Sequence, residues 1–185
     1  MAEIMTEQQL ARLCCEGDRR AQGELYTRYA ARLLALCRRY CQDPDDAHDL
    51  MQDAVIRAVE KMDGFTFRGQ GSLYAWMSRI AVNMAVSRLR RNKFLHISID
   101  RAADMDIPDP PPEEVREIPK EVMLDMVAGL PPVRRAVFNM YCIDGYSHKD
   151  IADMLGITEK GSASNLAKAR NQLKQQITVY LKEKE

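Results

Sequence analysis

One window, "DRAADMDIPDPPPEEVREIP" at positions 100–119, constrains this chain more than any other. Proline lacks a backbone N–H and holds φ nearly fixed. The run Pro110, Pro111, Pro112 therefore disfavours helix interiors and sheet ladders and favours an extended, semi-rigid segment. With its acids and no aromatic residue, the window reads as a linker. About 95 residues precede it and about 65 follow, which suits two small cores rather than one large one. The expected organisation is a domain at 1–95, a linker at 96–120 and a domain at 121–185.

Both halves carry helical periodicity. "EQQLARLCCEG" is a short first helix. In "AQGELYTRYAARLLALCRRYC", Leu25, Tyr29, Leu33, Leu36 and Tyr40 recur at spacings of three and four. In "DPDDAHDLMQDAVIRAVEKM", Asp43 suits an N-cap and Pro44 the first helical position, while Asp45 and Asp46 favour the positive helix end. Leu50, Met51, Ala54, Val55, Ala58, Val59 and Met62 form its apolar stripe. Asp49, Gln52, Asp53, Ile56, Arg57 and Glu60 take the other face. "FRGQGS" reads as a turn with Ser72 as the next N-cap, and a long helix runs on to about Arg91. Beyond the linker, "KEVMLDMVAGL" and "PVRRAVFNMYCIDG" are helices ended by Gly129 and Gly145. The expected class is all-α: two small helical domains joined by a Pro- and acid-rich linker, the C-terminal one a helix-turn-helix.

Acids and bases balance at 27 each, but the bases are clustered. The stretch 64–99 holds six bases and no acid, and 160–182 holds five and no acid. Two basic islands flanking an acidic linker suggest two contacts with one polyanion. No apolar run approaches the roughly 20 residues of a membrane span, and the N-terminus does not read as a signal peptide, so the expected location is the cytoplasm. Five cysteines, an odd number in a chain read as intracellular, speak against a disulfide framework.

The last 40 residues carry the most specific local pattern. Ser147 and Asp150 make a capping-box start, Ile151, Ala152 and Leu155 face inward, and Gly156 breaks the helix. Thr158 caps a second helix whose apolar residues are Leu166, Ala169 and Leu173. This is the helix-turn-helix plan, whose second helix enters the major groove. Its expected outward side offers Ser162, Ser164, Asn165, Lys168 and Arg170. Small polar residues at the N-terminal end allow close approach to bases, and the later cations suit phosphates.

The helix "SLYAWMSRIAVNMAVSRLRR" gives a core stripe of Leu73, Trp76, Met77, Ile80, Ala81, Met84 and Leu89. Trp76 suits either core packing or stacking on an exposed base. Asn83 suits either solvent or a base edge, since its amide both donates and accepts. Arg79, Arg88, Arg90, Arg91 and Lys93, with no acid nearby, would attract phosphate.

Taken together, these segments resemble the ECF (extracytoplasmic-function) sigma factors of bacterial RNA polymerase, over about residues 18–177 and in the family's order. "AQGELYTRYAARLLAL" resembles the first conserved helix of the promoter-melting domain, and "DPDDAHDLMQDAVIRAVEKM" the polymerase-binding helix. "FTFRGQGSLYAWMSRIAVNMAVSRLRR" resembles the loop and helix that open and read the −10 element. "LPPVRRAVFNMYCIDGYSHKDIADMLGITEKGSASNLAKARNQL" resembles the helix-turn-helix that reads the −35 element. The resemblance implies polymerase contacts at Asp49, Leu50, Gln52, Asp53, Ile56 and Arg57. It implies a base-capturing loop at Phe67, Arg68, Gly69, Gln70, Gly71 and Ser72, with Asn83 beside it. Ser164, Asn165 and Lys168 match positions that touch −35 DNA, whereas Ala163 stands where the family usually has a cation.

The implied function is a non-enzymatic initiation factor with no cofactor. Its implied partners are core RNA polymerase, promoter DNA and an anti-sigma protein, without membrane insertion. An autonomous helix-turn-helix regulator is the alternative, and the acidic linker and the polar face from Asp49 to Arg57 speak against it. A metal or thiol enzyme built on Cys37, Cys41 and His48 would need a constellation that the scattered His48, His96 and His148 do not form.

Overall fold

Local chemistry sets the helix starts. In the computed structural model, which describes residues 5–91 and 109–184, α1 runs Glu7–Cys15 behind a capping box made by Thr6 and Gln9. Asp18 caps α2 (Arg19–Tyr40) by accepting from the amides of Arg20 and Ala21. Asp43 accepts from the Asp45 amide at 2.7 Å, and Pro44 opens α3 (Pro44–Glu60). A 3-10 turn at Met62–Gly64 leads to the loop before α4 (Ser72–Arg91). The chain divides into two compact units, Met1–Ala85 and Val86–Glu185, and the division falls within α4.

The first unit is a helical bundle in which α2 packs on both α1 and α3. Leu10, Leu25, Leu33, Leu50, Met51, Leu73 and Met77 are fully buried, as the apolar spacing of α2 and α3 requires. The stripe of α4 differs from the expected one. Val82, Ala85 and Val86 are buried, while Ile80, Met84 and Leu89 are half-buried, because the inward face drifts around this 20-residue helix.

The second unit holds α5 (Pro112–Arg116), α6 (Lys120–Ala128), α7 (Pro132–Phe138), a π-turn at Asn139–Ile143, α8 (His148–Leu155) and α9 (Glu159–Lys182). The linker's described end is thus a short helix rather than extended chain. Pro112 sits at its first position, where a missing N–H costs nothing. Asp109 just before it pairs with Lys174 of α9 at 2.8 Å. Leu130, Val137, Met140, Ile151, Leu155 and Ala169 fill the core, with Phe138 packed against it. Arg135, 4% exposed, donates to the Ala128 carbonyl at 2.6 Å and so closes the C-terminal end of α6.

Candidate nucleic-acid and polymerase interface

The loop between the 3-10 turn and α4 has a tied backbone and free side chains. Gly69 and Gly71 take φ of 112° and 89°, which L side chains rarely adopt, so glycine is required for this path. The Ser72 hydroxyl donates to the Gly69 carbonyl at 2.6 Å and accepts from the Arg68 amide at 3.2 Å. Ser72 therefore does not act as the expected N-cap; it is the first helical residue, and Gly71 makes the turn before it. Phe67, Arg68 and Gln70 are exposed, Phe67 by 39%.

On α4, Trp76, Arg79 and Asn83 recur at spacings of three and four and so share one face. Arg79 and Asn83 are exposed. Trp76 is half-buried against Phe65, with ring centroids 5.4 Å apart and planes tilted by 55°. Arg90 and Arg91 are exposed in the last turns of α4, whereas Arg88 is half-buried and already engaged by neighbours. Lys93 lies outside the described residues.

Along α3, Asp49, Gln52, Asp53, Ile56 and Arg57 form an exposed strip. Ile56 is 58% exposed, which is unusual for an isoleucine on an otherwise charged surface. Arg57 pairs with Glu60 at 2.9 Å. Leu50 is corrected as a contact residue: at 0% exposure it holds the helix to the core and cannot touch a partner.

In the second unit, α8, the left-handed Gly156 and α9 form the helix-turn-helix, with the Thr158 hydroxyl accepting from the Gly161 amide at 2.9 Å. Ser162 is corrected: it is fully buried, and its hydroxyl lies 2.9 Å from Nδ1 of His148. His148 in turn stacks on Tyr141 at 4.4 Å. Ser162 falls in the same helical row as Leu166, Ala169 and Leu173, so it belongs to the inward face. Ser164 and Arg170 are exposed. Asn165 is half-buried and donates to the Gly161 carbonyl at 2.8 Å, and Lys168 is half-buried and engaged. Opposite the buried row lie the exposed Lys160, Ser164 and Ala167, so Lys160 joins the candidates, whereas Asn171 further along is half-buried and engaged like Lys168. The buried row of α9 was the signal that could have found Lys160.

The thiols do not assemble a site. None of the five cysteines is in a disulfide, and Cys14 and Cys37 are buried. Burial, and then the charge of Asp18, pushes the Cys14 thiol up, away from the thiolate that a nucleophile or metal ligand needs. Among the described residues no cluster of His, Cys, Asp and Glu could hold a metal ion, and no helix is long and apolar enough to cross a membrane.

Two family models match the chain, one before the linker and one after it. The Sigma-70 region 2 model matches residues 25–94, and the Sigma-70 region 4 model matches residues 120–173. This chain belongs to the ECF sigma factors. The ECF RNA polymerase sigma-E factor of Haemophilus influenzae is 28% identical, over 96% of this chain and 98% of that protein. The RNA polymerase sigma-H factor of Pseudomonas aeruginosa is also 28% identical, over 96% of each. In fold, the chain is similar to the sigma factor RpoE of Bartonella quintana, solved with the anti-sigma factor NepR. That match has a TM-score of 0.52 and 21% identity, over 83% of this chain and 93% of that one. As a sigma factor, the chain directs promoter-specific transcription initiation by RNA polymerase.

Proposed function

We propose a division of that task among the surfaces described above. The exposed strip of α3 from Asp49 to Arg57 docks on core polymerase. The loop residues Phe67, Arg68 and Gln70, with Trp76, Arg79 and Asn83 of α4, read the melted −10 strand. The outward row of α9, with Ser164 and Lys168, reads the −35 duplex in the major groove. The carrying observation is the loop itself: its backbone is held by hydrogen bonds while Phe67, Arg68 and Gln70 stay exposed. Unstacking a base costs a few kcal/mol, and a loop already ordered before DNA arrives can offset that cost without a further ordering penalty.

The factor acts where the polymerase acts, in the cytoplasm, and it supplies no bond chemistry of its own. An anti-sigma protein that covers the exposed Ile56 strip would hold it inactive. The test is holoenzyme carrying Asn83→Ala, scored on a promoter and on versions with −10 bases changed. Discrimination among the −10 versions should fall by roughly five- to tenfold, the worth of a lost base-edge contact. Core affinity should stay unchanged. Loss of core affinity with intact −10 discrimination would show that the roles are divided otherwise.

A further inference from the structure

The −10 loop is held by a carboxylate far away in sequence. Glu7, the first residue of α1, reaches the amides of Gly71 and Leu73 with Oε2, at 3.0 and 3.3 Å. Its other oxygen, Oε1, accepts from the Tyr29 hydroxyl at 3.0 Å. The start of α1 is pinned independently, because Arg28 donates to the Met5 carbonyl at 2.8 Å. These contacts join α2 to the first turn of α4 through one side chain. The N–H groups at the start of a helix have no intrahelical partner, and a carboxylate there also suits the helix dipole. The Ser72 hydroxyl ties this loop to itself, whereas Glu7 anchors its Gly71 end to α1 and α2, at a point where two glycines at positive φ leave the backbone little stiffness of its own.

We infer that Glu7 is a positioning residue for −10 recognition: it sets the backbone from which Phe67, Arg68 and Gln70 are presented, without touching DNA. The inference rests on the reading of that loop as the base-capturing element. Glu7 lies upstream of residues 25–94, so the region 2 match does not assign it. Loop order created before DNA binds would appear in strand opening and base selection, not in docking to the polymerase.

The experiment uses full-length protein with core RNA polymerase. Glu7→Ala, Glu7→Gln and Glu7→Asp are compared with Gln70→Ala and Phe67→Ala, on one promoter and on −10 substituted versions of it. Open-complex formation on the native promoter should slow roughly tenfold in Glu7→Ala, consistent with the loss of charge-assisted bonds to two amides. Discrimination against substituted −10 bases should fall with it, while core affinity remains unchanged. Glu7→Gln keeps one acceptor oxygen and should recover part of the discrimination. Glu7→Asp, one methylene shorter, should not. If Glu7→Ala slows native and substituted promoters equally, or weakens core binding in step, the residue is merely structural and the inference is overturned. If Gln70→Ala or Phe67→Ala alters discrimination and Glu7→Ala does not, the inference alone fails. If neither loop variant alters discrimination, the loop reading falls and takes the inference with it.

Discussion

Ile56 and Leu50 lie on the same helix and should respond to truncation in opposite ways. Ile56 is 58% exposed, so truncation removes little from the folded core, and its fold cost should stay within about 0.5 kcal/mol. If the strip docks on polymerase, that exposed fraction is what becomes buried on binding. Full burial of such a side chain is worth about 1.5–3 kcal/mol, and the exposed 58% corresponds to about 1–2 kcal/mol. Ile56→Ala should therefore weaken core affinity by about five- to twenty-five-fold. Leu50 is 0% exposed, and Leu50→Ala should cost about 2–5 kcal/mol of stability through the transfer and cavity terms. Competition for core polymerase against a labelled sigma factor measures the first effect, and chemical denaturation measures the second. The reasoning is refuted if Ile56→Ala leaves core affinity unchanged while lowering stability, since the side chain would then be serving the fold.

Two further predictions follow from single contacts. Burial, followed by the bonded Glu7 carboxylate, pushes the Tyr29 hydroxyl up to about 12. A raised folded value favours the neutral form, so this contribution is present below about pH 10 and is lost as pH rises toward 12. Denaturation at successive pH values should show stability falling across that window, and Tyr29→Phe should flatten part of the decline. A profile unchanged in Tyr29→Phe would contradict the assignment. Ser162→Ala should cost about 1 kcal/mol of stability by removing the partner of His148, and should lower affinity for all −35 sequences alike. Ser164→Ala should leave stability unchanged and alter −35 preference instead; melting curves and −35 substituted promoters separate the two.

Features written in neighbouring residues were legible in the sequence. The Asp43–Pro44 start, the Ser147–Asp150 capping box and the Thr158 cap depend on contacts within one helical turn, so local spacing reveals them. The core stripes of α2 and α3 were nearly as plain, because both helices bury one face, although Val59 at the end of the α3 stripe is only half-buried. What stayed hidden depends on partners distant in the chain. Ser162 looks like a polar residue on a recognition helix until His148 is placed beside it, 14 residues away. Glu7 looks like an ordinary first-turn acid, and its bond to the Gly71 amide spans 64 residues. The face of α4 was partly misread because its burial drifts around the helix, so the expected stripe followed Ile80 and Met84 where the fold buries Val82 and Ala85.

Run-off transcription reads out whether this chain confers promoter choice on RNA polymerase. Core polymerase is mixed with the purified protein and a library of random genomic fragments, and the transcript ends are sequenced. Discrete starts are expected, each preceded by the same pair of elements near −10 and −35, and none when the protein is omitted. Starts scattered without shared upstream elements, or no initiation above core polymerase alone, would contradict that role.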